Sequence, residues 1–108
     1  MTYQVRILAK AWEDLDEILA YIAERSPGGA ARLLDEFDKT MSRLEVNPFI
    51  APLALEAEDV GEEIRQALFR TRAGRNYRAL FLIIGDEVRV LRVRGSGQAP
   101  IASDDLTS

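Results

Sequence analysis

Tyr77-Arg78-Ala79-Leu80-Phe81-Leu82-Ile83-Ile84-Gly85-Asp86-Glu87-Val88-Arg89-Val90-Leu91-Arg92-Val93-Arg94 decides the fold class. Apolar residues alternate along both arms of this stretch, the period of a strand. Arg75–Ile84 is expected as one strand, with Tyr77, Ala79, Phe81 and Ile83 on one face. Its second half is apolar on both faces, as a central strand requires. Gly85-Asp86 leaves two residues for the turn, with glycine first, a hairpin signal. Glu87–Arg94 is the returning strand. Ile64–Arg72 alternates in the same way just upstream, so a three-stranded antiparallel meander is predicted.

Upstream of the meander the period changes. Tyr3–Leu8 reads as a short N-terminal strand. In Lys10–Arg25, Trp12, Leu15, Ile18, Leu19 and Ile22 fall on one helical stripe. Glu13, Asp14, Asp16 and Glu17 read as acids favoured by the helix dipole near its start. Ser26-Pro27 reads as an N-cap with proline at the first helical position. A second helix then runs to about Val46, with Ala30, Leu33, Leu34, Phe37, Met41 and Leu44 on its apolar face. The short break between the helices predicts an antiparallel helical hairpin. Trp12, Tyr21, Phe37 and Met41 are expected in the core. Pro48–Glu63 is expected as a long loop, packed in part through Phe49, Ile50 and Leu53. The tail, 98–108, is polar and expected to fray. Strand, two helices and three strands make an α+β domain over 1–108. The hairpin is expected to cover one sheet face, leaving the other more open.

With 108 residues, 47% apolar and 30% charged, the composition is that of one globular domain. There is no cysteine and no histidine. That excludes disulfides, thiolate metal sites and every serine–histidine or cysteine nucleophile arrangement. No metal and no cofactor are expected. No stretch has the length of a membrane span, and the first residues lack a signal-peptide layout, so a cytoplasmic location is expected.

The net charge of −4 conceals two opposed halves. Residues 1–63 carry a net −8, and residues 64–108 a net +4. Twelve of the 14 cationic residues are arginine, whose rigid fork grips phosphate or carboxylate in two places. The basic segment can meet nucleic acid, an acidic protein, or the chain's own acidic half. Arg70, Arg72, Arg75 and Arg78 lie within nine positions, and a binding role is read for them. Residues two apart on a strand share a face, so Arg70 and Arg72 are expected to project together, as are Arg92 and Arg94. The candidate binding set is Arg70, Arg72, Arg75, Tyr77, Arg78, Arg92 and Arg94.

The order of elements and three local signatures resemble the RelE/ParE superfamily of bacterial toxin–antitoxin toxins. The first is Ala11-Trp12-Glu13-Asp14-Leu15-Asp16-Glu17-Ile18 with Tyr21-Ile22-Ala23. The second is Ser26-Pro27 with Ala30-Ala31. The third is Tyr77-Arg78-Ala79-Leu80-Phe81 with Asp86-Glu87-Val88-Arg89-Val90-Leu91. The likeness covers about residues 3–94.

The resemblance implies two possible activities. One branch cuts messenger RNA on the ribosome with basic residues, an arginine and a late tyrosine. The other, ParE-like, poisons DNA gyrase by binding it. Either kind is neutralised by a cognate antitoxin. The nuclease's basic pair corresponds to Arg70 and Arg72, and the arginine after its strand tyrosine to Arg78. Its later arginine has no clear match, Arg94 lying about two positions early. Its C-terminal tyrosine falls near Ile101, and no tyrosine follows Tyr77. Strand cleavage needs a proton acceptor, which arginine is not. Glu62, Glu63 and Glu87 are the nearby carboxylates, and nothing in the sequence positions them. The ParE-like, non-catalytic reading is therefore favoured, with Arg94–Ile101 as part of the target contact. The antitoxin is expected in the groove between helical hairpin and sheet and along the arginine-rich strands.

Overall fold

The computed structural model describes residues 2–72, 74–95, 98, 100–102 and 106. β1 (Gln4–Ile7) is followed by α1 (Ala9–Ala23) and α2 (Pro27–Val46). A 3₁₀ turn at Pro48–Ile50 and a short helix α3 (Glu56–Val60) lead to β2 (Arg65–Phe69), β3 (Tyr77–Ile84) and β4 (Glu87–Gly95). The expected α+β order is therefore present.

The meander β2–β3–β4 is antiparallel, and β1 joins it alongside β4 in parallel, giving the order β1-β4-β3-β2. The hairpin closes at Gly85-Asp86 between the paired residues Ile84 and Glu87. Gly85 has φ 62°, and no other residue of the turn has positive φ, the pattern of a type II′ turn. Between Leu80 and Phe81 the register with β4 shifts by one residue, a bulge at Leu91 of β4. The extra residue lets both Val90 and Val93 enter the same core despite their odd spacing.

α2 begins as the sequence predicts: the Ser26 hydroxyl accepts from the Gly29 N–H at 3.0 Å, and Pro27 occupies the first helical position. α1 begins at Ala9, one residue before the expected Lys10, and Glu13–Glu17 lie beyond its first turn. Ala11 and Leu15 are its buried residues. Alanine's small side chain lets the helix approach β4 closely.

The main core lies between the helical hairpin and one sheet face. Leu33, Phe37, Met41 and Leu44 of α2 meet Ala67, Phe69, Ala79, Phe81, Val88, Val90 and Val93. Phe37 packs edge-on to Phe69 at 5.4 Å between ring centroids, an arrangement that aromatic quadrupoles favour. Trp12 and Tyr21 are not core residues: they are 43% and 61% exposed. Trp12 sits at the margin of α1's contact and Tyr21 lies off the stripe, while Ala11 takes the centre.

The second sheet face is not open. Ile64, Leu80, Leu82 and Leu91 are covered there by Ala54, Ala57, Val60, Ile101 and Leu106. The 48–63 segment is thus partly helical and packs through Ala54 and Glu56, whereas Phe49, Ile50 and Leu53 are exposed. The described part of the tail docks instead of fraying, because Ile101 and Leu106 are buried. Among the described residues no helix is long and apolar enough to cross a membrane.

Candidate functional site

The structure divides the candidate arginines into two groups by what each one touches. Arg78, on β3, is tied internally. Its Nη1 and Nη2 donate to Glu56 Oε1 and Oε2 at 2.8 and 2.6 Å, and Nη1 also reaches Gln66 Oε1 at 3.3 Å. Glu56 is 2% exposed and also accepts the Ile101 N–H at 3.1 Å. A carboxylate with three donors at such distances strongly favours its ionised form. The Arg78 hydrogen bonds, with help from the Ile101 amide, outweigh the opposing effect of burial and hold the Glu56 carboxyl at about 2.

Arg92 is tied in the same manner. Its Nε and Nη2 donate to Asp14 Oδ2 and Oδ1 at 2.7 and 3.0 Å. Asp14 Oδ2 also accepts the Val93 N–H at 3.0 Å. The chain leaves the sheet at Leu8, whose N–H still bonds the Val90 carbonyl. Beyond that point Asp14 satisfies β4's edge in place of a strand. These two pairs fasten α3 and the tail to β3, and α1 to β4.

Arg65 is similarly engaged, donating to the Phe49 and Ala51 carbonyls. Of the carboxylates considered for proton transfer, Glu87 is bound to Arg89. Glu62 and Glu63 are exposed ahead of β2.

Arg70, Arg72 and Arg75 are placed otherwise. β2 ends at Phe69 and β3 begins at Tyr77, so all three lie in the connection and not on strands. The expected shared strand face for Arg70 and Arg72 is therefore corrected: their alternation continues past the last ladder pair, Phe69–Tyr77. All three are exposed. Arg94 lies within β4 and is half-buried, as is Tyr77, which stacks on Phe69 at 5.7 Å. The expected target contact from Arg94 to Ile101 falls in part on Ser96, Gly97 and Ala99, outside the described residues.

Two surfaces emerge. The first is a groove of about 720 Å³ between α2 and β2, lined by Leu44, Val46, Ile50, Ala51, Ala67 and Leu68 among others. Val46, Ile50 and Leu68 are exposed there, and Phe49, Leu53 and Leu55 are further exposed apolar residues of the 48–63 segment. β2 is an edge strand, only partly covered where Gln66 N–H bonds the Pro52 carbonyl and Ala54 N–H bonds the Ile64 carbonyl. The second is the connection carrying Arg70, Arg72 and Arg75. Sequence reasoning missed Glu56 and Asp14, each hidden in a run of acids.

A family model described as the ParE toxin of the type II toxin–antitoxin system, parDE, matches residues 5–100. Among solved structures, the chain is similar to one from the RelBE2 toxin–antitoxin complex of Mycobacterium tuberculosis. The two are 26% identical, the match covers 88% of this chain and 99% of that one, and the TM-score is 0.49. No curated protein sequence matches. The family match runs from β1 to the docked tail, and on that ground the chain belongs to the ParE toxin family of type II toxin–antitoxin systems.

Proposed function

We propose that this toxin acts by binding DNA gyrase directly, without catalysis, and that a cognate antitoxin neutralises it. The observation that carries this reading is the Glu56–Arg78 pair. The arginine that would hold a scissile phosphate is already chelated by a buried carboxylate. A general base works best with a pKa near the working pH, and a carboxyl at about 2 is too weak a base for that task. A surface that only binds has no such requirement.

The antitoxin fits the groove between α2 and β2. An extended or helical segment with apolar anchors would cover Leu44, Val46, Ile50 and Leu68 there. Its acids would meet Arg43, in the groove wall, and Arg70 nearby.

The test places purified toxin in two assays, gyrase supercoiling and cleavage of message on ribosomes. Supercoiling is expected to stop and message to stay intact. Cleaved message with untouched supercoiling would replace this reading with the ribonuclease one.

A further inference from the structure

We propose that the end of the molecule formed by the β2–β3 connection and the α1–α2 corner docks on the phosphate backbone of duplex DNA. The choice of DNA over other nucleic acid rests on the gyrase reading. The surface itself rests on geometry.

Four arginines from separate parts of the chain meet at this end. Arg25 and Arg75 line one cavity of about 410 Å³ with Tyr21, Thr71, Gly74 and Tyr77. Arg72 stands in the same connection, between Thr71 and Gly74. Arg32 folds back along α2, so that its Nη1 lies 3.2 Å from where a Cβ on Gly28 would stand, at the helix's first turn. Gly29, next to it, lines the cavity.

These guanidiniums are not spent on internal pairs. Among the described residues Arg32, Arg72 and Arg75 have no carboxylate partner. Arg25 donates to the Tyr21 carbonyl at 3.0 Å, and its carboxylate neighbour Glu24, at 3.9 Å and exposed, contributes little.

The chemistry fits phosphate better than peptide. A peptide needs exposed apolar anchors; the aliphatic lining of this cavity is half-buried Ile22 and buried Leu33, and most exposed aliphatic residues gather at the α2–β2 groove and in the 48–63 segment instead. At the arginine end the large exposed ring is Tyr21. Arg25 lies over that ring at 4.0 Å, on the face where a base would stack. What remains is a set of forks suited to phosphate oxygens, without base readout.

Most of the acids behind the overall charge of −4 lie on α1, α2 and α3, and of the described acids only Glu24 pairs with an arginine of this end. The exposed acids Glu62, Glu63 and Asp86 lie toward the other end of β3, an eight-residue strand that spans roughly 26 Å. A Debye length of about 10 Å at 0.1 M salt screens them from a backbone docked on the arginines.

Fluorescence anisotropy of a labelled 20-bp duplex with purified full-length toxin, titrated at several salt concentrations, tests the proposal. Phosphate contacts by Arg32, Arg72 and Arg75, with Arg25 held on Tyr21, give a slope of log K against log salt of about −3, or roughly forty-fold weakening from 50 to 200 mM. Arg72→Glu with Arg75→Glu is expected to weaken binding at least tenfold and flatten the slope toward about −1, with the unfolding midpoint unchanged. No duplex binding at 50 mM salt, or equal binding by the double variant, would overturn the proposal. So would preferential binding of single-stranded RNA or of a polyglutamate peptide. The assay contains no gyrase, so the two readings fail separately. Supercoiling blocked without duplex binding keeps the gyrase reading and overturns this one. Duplex binding with this slope and untouched supercoiling supports the surface and overturns the gyrase reading.

Discussion

Glu56→Gln isolates what the buried pair contributes. In the native chain Arg78, with help from Ile101, holds the Glu56 carboxyl at about 2 instead of the ordinary 4.5. That difference corresponds to about 3 kcal/mol of folding free energy at neutral pH. The glutamine keeps the shape and one acceptor but not the charge, and it leaves the Arg78 guanidinium, 16% exposed, without a counter-ion. Removing one partner of a buried pair costs about 3–5 kcal/mol. Both routes agree on about 3 kcal/mol, or roughly a 10–20 °C lower midpoint for a domain of this size. The sign of the pH dependence follows from the lowered pKa. The stabilisation is fully present above 4.5 and disappears as pH falls through about 2. Urea unfolding of both proteins from pH 7 down to pH 2 should therefore show a gap of about 3 kcal/mol that closes on acidification. A gap below about 1 kcal/mol at pH 7, or one of constant size across the range, would refute the reasoning.

Two further substitutions probe how the sheet is finished. Asp14→Ala removes the acceptor shared by Arg92 and the Val93 N–H and is expected to cost about 2–4 kcal/mol, measured by chemical denaturation. Gly85→Ala is expected to cost about 1–2 kcal/mol. No atom lies within 4 Å of the new methyl group, so the loss should come from the positive φ alone and speed hairpin opening in hydrogen exchange.

Local signals carried most of the fold into the sequence. The β3–β4 hairpin and the cap of α2 depend on residues close along the chain, and their periods and turn chemistry are legible. The parallel pairing of β1 with β4 depends on contacts more than 80 residues apart, Gln4 with Glu87, and no local pattern encodes it. The second core was hidden for the same reason. Ala54 is buried between two larger residues that are exposed, Leu53 and Leu55, and Ile101 and Leu106 lie far along the chain from it, so only the folded sheet brings the three together. Strand ends were misplaced where alternation outlasts pairing, as at Arg70 and Arg72. Trp12 was misjudged because a helical stripe gives the direction of a face and not how far its contact extends.

The site was less legible than the fold, because a sequence does not distinguish one arginine from another. Eight arginines follow Ile64, and their net positive charge reads as one basic surface. The structure divides them by partner. Arg65 is held by carbonyls, Arg78 by Glu56, Arg89 by Glu87 and Arg92 by Asp14. A guanidinium chelated by a carboxylate adds little field at a distance, since the pair is nearly neutral. The outward field of this half therefore owes much to Arg65, whose carbonyl partners leave its charge intact, and to Arg70, Arg72 and Arg75, in the one connection between β2 and β3. This changes how charge reversals must be read. A variant at Arg78 or Arg92 releases α3 and the tail, or α1, from the sheet, and any lost binding would follow lost structure. A variant at Arg72 or Arg75 breaks no internal pair among the described residues, so its effect on binding reports the surface itself.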